Sequence, residues 1–135
     1  MREVEVSAFV PAPQATVERA LTPTAVVKYE GTFEVETVEE TDEGWTVTAM
    51  ASGLTMRLDF EEREHGFVYR QRGTEGPFES METELSLEPE NEGCRVTATS
   101  RVSLGLPVAA VSDRIAAWKR RGELRRALDG LAEDV

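Results

Sequence analysis

The chain has 135 residues with 26 acidic and 15 basic side chains, a formal net charge of −11, and 40% hydrophobic against 30% charged residues. That is globular composition at a length that fills one core, so one domain spanning 1–135 is expected. The acidity argues against nucleic acid as a partner, because phosphate contacts need clustered Lys and Arg, and no stretch approaches the ~18 uncharged apolar residues of a membrane span.

The first segment, Glu3–Val10, alternates Val4, Val6, Ala8 and Val10 with Glu3, Glu5 and Ser7, the period of a half-buried strand. Pro11-Ala12-Pro13 ends it, and a short helix beginning at Pro13 carries Val17, Ala20 and Leu21. Thr22-Pro23-Thr24 stops that helix, and Ala25–Glu30 forms a second one before Gly31. The period then becomes two: Thr32–Glu40, Trp45–Ala51, Leu54–Glu61, Phe67–Gln71, Met81–Glu88 and Arg95–Leu104, separated by polar turns such as Asp42-Glu43-Gly44 and His65-Gly66. Consecutive strands with short turns make an antiparallel meander, one face wet and charged, the other apolar and in need of cover. Pro107–Asp134 has helical spacing instead. Val108, Val111, Ile115 and Trp118 form one stripe. Leu124, Leu128, Leu131 and Val135 form another, rotated well away, with Gly122 between them. Either the helix bends near Gly122 or its second half packs against a different partner.

The opening Val4-Glu5-Val6-Ser7-Ala8-Phe9-Val10-Pro11-Ala12-Pro13, the following Val17-Glu18-Arg19-Ala20-Leu21-Thr22 and the closing Arg126-Ala127-Leu128-Asp129-Gly130-Leu131-Ala132-Glu133 sit in a whole-chain order of strand, two short helices, meander and long helix. In that order they resemble the START-related (SRPBCC) superfamily of polyketide cyclase-like proteins, lipid-transfer domains and pathogenesis-related allergens. The resemblance implies an α+β helix-grip fold, a seven-stranded curved antiparallel sheet wrapped around the long C-terminal helix. It also implies binding or transport of a small hydrophobic or amphipathic molecule, of lipid, polyketide or isoprenoid class, between sheet and helix. The superfamily shares no catalytic motif, so no catalytic residue carries over.

A sheet wrapped around one helix leaves a space that becomes an apolar pocket unless side chains fill it. Met56, Leu58, Tyr69, Met81, Val102, Ile115 and Trp118 are expected around it, with Val26 and Tyr29 at an entrance; the same residues would equally make a solid core. Gln71 and Ser100 are polar positions on the apolar face, fit to orient a ligand's polar end or to bond to nearby backbone. A cyclase or dehydratase is the enzymatic alternative, and it would need an acid–base residue inside, which the inward positions almost lack.

Other chemistry is sparse. The single cysteine, Cys94, and single histidine, His65, exclude an internal disulfide and a multi-histidine metal site within one chain, and no cofactor is expected. His65 reads as a hairpin-turn residue, Cys94 has no neighbour in sequence to activate it, and Glu82 with Glu84 shares a solvated strand face. Arg114, Lys119, Arg120, Arg121, Arg125 and Arg126 run against the overall charge: an anion or acidic-partner site, cations paired with the acidic hairpins, or helix-surface arginines solvated alone. A protein-interaction module built on them is the third functional class. Only Lys28 and Lys119 are lysines, and glutamate supplies 21 of the 26 acids. Such a surface suits high salt, where screening removes self-repulsion, and reads as a halophile's protein, with an ordinary acidic protein as the alternative. The opening residues lack the apolar run of a signal peptide, so a cytoplasmic location is expected. The expected partners are a small hydrophobic ligand, no nucleic acid and no membrane span, with a homodimer left open.

Overall fold

The computed structural model describes residues 2–104 and 109–134, and side chains in the last helix from Asp113 onward. Val108, Val135 and the side chain of Val111, placed in the two helical stripes above, lie outside the described residues. The elements are β1 (Arg2–Val10), α1 (Gln14–Ala20), α2 (Pro23–Glu30), β2 (Glu34–Glu40), β3 (Gly44–Ala51), β4 (Leu54–Arg63), β5 (Gly66–Gln71), β6 (Ser80–Glu90), β7 (Gly93–Ser103) and α3 (Ala109–Asp134). They form a seven-stranded antiparallel sheet in the order β1-β7-β6-β5-β4-β3-β2. The sheet is a helix grip: β2 to β7 run as a meander, and β1 closes against the last of them. α1 and α2 carry the chain from one sheet edge to the other.

α2 begins at Pro23, two residues before the expected Ala25, because the Thr22 hydroxyl accepts a hydrogen bond from the Ala25 amide at 3.1 Å. That caps the helix and lets proline take a first-turn position, where its missing N–H costs nothing. At the other end Gly31, with φ +80, terminates α2 in the left-handed region. Glu30 is thereby fixed as the last helical residue.

The inner sheet face carries Val4 and Val6 on β1, Val96, Ala98 and Val102 on β7, and Met81, Leu85 and Leu87 on β6. Phe67 and Tyr69 on β5 and Met56, Leu58 and Phe60 on β4 continue it. α3 covers this face with Ala116, Leu124, Leu128 and Leu131, all buried, each leucine contributing about 1.5–3 kcal/mol. The two apolar stripes of α3 meet different surroundings: the leucine stripe enters the core, whereas Ile115 and Trp118 are 57% and 76% exposed. The row that faces the sheet is Ala116, Arg120, Leu124 and Leu128 at i, i+4 spacing, and a helix cannot turn both stripes inward at once.

On the outer face, opposite charges pair across strands: Arg72 with Asp59, Arg70 with Glu82 and Glu61, and Arg101 with Glu3. These pairs are largely exposed and contribute little individually.

Candidate functional site

Strand register sets one polar row into the apolar inner face. Tyr69 on β5 pairs with Thr83 on β6, and Thr83 pairs with Ser100 on β7, so three polar side chains stand side by side on adjacent strands. Thr83 and Ser100 bond to each other at 2.8 Å, and both are fully buried. The Tyr69 ring is held by stacking on Phe60, centroid to centroid 4.6 Å.

Arg120 of α3 comes down onto this row. All five guanidinium N–H groups have acceptors. Nε donates to Ser100 Oγ at 3.2 Å, and Nη2 donates to Tyr69 Oη at 2.6 Å and Thr83 Oγ1 at 2.8 Å. Nη1 faces Glu30 Oε1 at 2.9 Å and Glu123 Oε1 at 3.3 Å. Tyr69 Oη in turn donates to Glu30 Oε1 at 2.6 Å, and Glu123 Oε2 accepts from the Thr32 hydroxyl at 2.6 Å. The Arg120 side chain is 2% exposed. A charged cluster is therefore sealed between sheet, α2 and α3.

Burial is the dominant force on these groups. Desolvation pushes the Glu30 carboxyl above its ordinary 4.5; the Arg120 charge opposes that shift, and the nearby Glu123 reinforces it. One guanidinium is shared between two carboxylates, so the net direction for Glu30 is upward. Burial likewise pushes the Tyr69 phenol well above 10, so it remains a protonated donor. For Arg120 desolvation alone would favour the neutral form, but Glu30, Tyr69 and Glu123 outweigh it and hold the guanidinium charged. The chemistry available is a fixed cation, a phenol donor, two hydroxyls and a carboxyl that binds its proton more readily than usual.

The residues singled out in the sequence fall into separate places. Met56, Leu58, Met81 and Val102 are buried in one core cluster with Tyr69, and Val26 of α2 is buried with them. Tyr69 and Ser100 are in the Arg120 cluster. Gln71 is buried but turned to its own loop, donating to Gly73 O at 2.9 Å and Phe78 O at 2.6 Å and accepting from Phe78 N at 3.1 Å. Its amide staples the β5–β6 connection instead of pointing at the interior. Tyr29 packs on Gly130 of α3 and donates to Asp134. Ile115 and Trp118 do not line the sheet–helix interior at all: both lie on the solvent side of α3. Arg120 is the reverse correction, since it leaves the basic segment to become a core residue.

Of Glu30, Thr83, Arg120 and Glu123, the sequence singles out only Arg120, as one of the basic run on the last helix. A signal existed for two of them: Arg120 is four residues before Leu124, and Glu30 is four after Val26, so each continues the buried face of its helix. A hollow of about 450 Å³ lined by Gly31, Thr32, Phe33, Glu34 and Met50–Gly53 borders the end of α2 beside Glu30.

Comparison with known proteins agrees with this architecture. A family model described as polyketide cyclase / dehydrase and lipid transport matches residues 1–135. A crystal structure of a Thermus thermophilus protein is similar at 26% identity and TM-score 0.72, covering 98% of this chain and 95% of that one. A START superfamily protein from Mycobacterium smegmatis superimposes at TM-score 0.73 with 14% identity, covering 98% and 97% of the two chains. The di-domain ARO/CYC BexL of the BE-7585A biosynthetic pathway matches at TM-score 0.70 and 23% identity, over 97% of this chain and 46% of its own. No protein of curated function matches the sequence.

Proposed function

Because the chain belongs to the polyketide cyclase / dehydrase and lipid transport family, we propose that it binds a small hydrophobic or amphipathic molecule between the sheet and α3. The apolar body of the molecule would lie among Met56, Leu58, Met81 and Val102, and an oxygen-bearing end would meet Arg120, Tyr69, Thr83 and Ser100. The observation that carries this reading is the saturated, sealed Arg120. A buried ion pair is a poor source of stability, since well-packed apolar residues of the same volume often do as well or better. A polar pole inside an apolar interior is thus better accounted for as a recognition element.

Glu30 indicates what the pole accepts. Its carboxylate takes hydrogen bonds from both Arg120 and Tyr69, and a ligand's carboxylate, enolate or carbonyl oxygen would take the same donors. Glu30 stands at the end of α2, next to the hollow at Gly31 and Thr32, so displacement of that helix end gives the route inward. Solvent extraction of the purified protein followed by mass spectrometry tests the reading, together with titration of anilinonaphthalene sulfonate and laurate. Saturable binding weakened by Ser100→Ala is expected; an empty extract with no saturable binding of either probe overturns it.

A second reading, a cyclase or dehydratase acting on a polyketide-like substrate, is favoured by one observation: the phenol of Tyr69 and the Glu30 carboxyl form a hydrogen-bonded pair beside a fixed cation. Here Tyr69→Phe would leave binding in place and remove turnover. The excess of glutamate supports placing the protein in the cytoplasm of a high-salt cell, for which salt-dependent stability is the test.

A further inference from the structure

The charges on α3 are arranged unlike those of the sheet. Arg57, Arg63, Arg70, Arg72, Arg95 and Arg101 each have a carboxylate partner. Among the described residues, Arg114, Lys119, Arg121 and Arg125 make no ion pair or hydrogen bond, although the chain has 26 carboxylates to offer. All four are exposed, and Trp118 stands among them with 76% of its surface in water. At about 100° per residue Arg114, Trp118, Arg121 and Arg125 fall within about 60° of one another on one ridge, with Ile115 at its flank and Lys119 farther round the helix. Leaving an indole and three cations unpartnered on one ridge has no counterpart in the folding of this domain. Ala116, Arg120 and Leu124 on the opposite side already dock the helix.

We propose that the outer ridge of α3 seats the protein on an anionic lipid surface. Charge complementarity selects an anionic partner, and shape selects the lipid. The ridge is convex, with a protruding indole, and a headgroup layer receives such a ridge without a matching pocket, whereas a protein partner would need a hollow cut for Trp118. Tryptophan sits well at that depth, its ring apolar and its N–H wet, and the arginine stems lie along apolar surface while their heads reach phosphates. The net charge of −11 does not forbid this. Between Arg114 and Arg126 the helix carries a single acid, Glu123, and that one is buried, so the excess carboxylates belong to other parts of the chain. Asp129, one turn beyond Arg125, closes the ridge at its C-terminal end, and Glu133 follows it. This inference does not depend on what the interior holds, since Trp118, Arg121 and Arg125 take no part in the Arg120 cluster.

The test is co-sedimentation of the full chain with vesicles of pure phosphatidylcholine and with vesicles containing one-third phosphatidylglycerol. A Trp45→Phe background leaves Trp118 as the fluorescent reporter. Binding to the anionic vesicles alone, a blue shift of Trp118 emission and weakening by added salt are expected. At about fivefold per cation, Arg121→Glu with Arg125→Glu is expected to weaken binding by at least about 25-fold. Trp118→Ala should weaken it as well. Circular dichroism checks that these surface variants keep the fold. Equal binding to neutral vesicles, undiminished binding by the charge-reversed variant, or no sedimentation by the parent chain would each overturn the proposal. Capture by immobilised polyglutamate that depends on Trp118, without vesicle binding, would overturn it too and assign the ridge to an acidic protein instead.

Discussion

Arg120 Nη1 lies 2.9 Å from Glu30 Oε1, which joins the middle of α3 to the last residue of α2 inside the apolar layer. That contact ties three things together. It anchors the short helix that borders the surface hollow, it occupies the strongest donor in the interior, and it shares one cation between two carboxylates. The Arg126 side chain reinforces the junction by donating to Glu30 O at 2.8 Å.

Removing Arg120 should therefore be costly out of proportion to its size. Arg120→Met leaves Glu30 and Glu123 buried without their cation, and we expect a loss of about 3–5 kcal/mol in urea denaturation. Adding Glu30→Gln to Arg120→Met should restore part of it, because one stranded charge is gone. A single variant as stable as the parent chain would mean the cluster is solvated far more than its burial indicates.

The pH dependence follows from Glu30. A folded-state pKa raised above 4.5 means that the native protein binds the Glu30 proton more tightly than the unfolded chain does. Its stabilising contribution is full below 4.5 and is lost as pH rises through the folded-state value. Chemical denaturation across the range above 4.5 should show stability falling in the parent chain relative to Glu30→Gln, and the difference should be flat if Glu30 is not the titrating group. Below that range Asp59, held low chiefly by its hydrogen bond from Arg72, works in the opposite sense: its contribution is lost as pH falls.

Two glycines of α3 should respond oppositely to alanine. A Cβ on Gly122 would meet only the Arg126 guanidinium, at 3.6 Å, so the gain in helix propensity, about 1 kcal/mol, should appear as a higher Tm. A Cβ on Gly130 would stand 2.8 Å from the Tyr29 ring, so Gly130→Ala should destabilise by about 1–3 kcal/mol. In a Tyr29→Ala background that second substitution should become favourable. A loss that persists there would place the cause outside the α2–α3 contact.

Salt should stabilise the chain if the acidic surface is an adaptation to it. Exposed sheet pairs such as Arg72–Asp59 and Arg101–Glu3 contribute little and are weakened by salt. Relief of repulsion among unpaired glutamates works the other way, and in a chain of net charge −11 it should dominate. Thermal melts from low to molar KCl are expected to rise in Tm; an invariant or falling Tm would favour an ordinary acidic protein.

The strands were legible because their pattern is local. Met56, Leu58 and Phe60 alternate with Thr55, Arg57 and Asp59, and that alternation alone assigns each side chain to a face. The helical caps at Thr22 and Gly31 are equally local. Thr83 was harder to read, because a threonine between Met81 and Leu85 has no pattern that distinguishes an idle polar residue from one aligned with Tyr69 and Ser100.

Composition and periodicity by themselves determined the α+β order, the charged outer face and the apolar inner one, because each depends on spacing along the chain. Only the tertiary structure decided which side of α3 faces inward. A helix with two apolar stripes and six basic residues has more than one candidate buried face by sequence, and the choice depends on what the sheet presents to it. The sheet presents Tyr69, Thr83 and Ser100 in one row, which supplies acceptors for a guanidinium. Arg120 therefore turns inward with Leu124 and Leu128, and Trp118, on the opposite side of the same helix, is left in water.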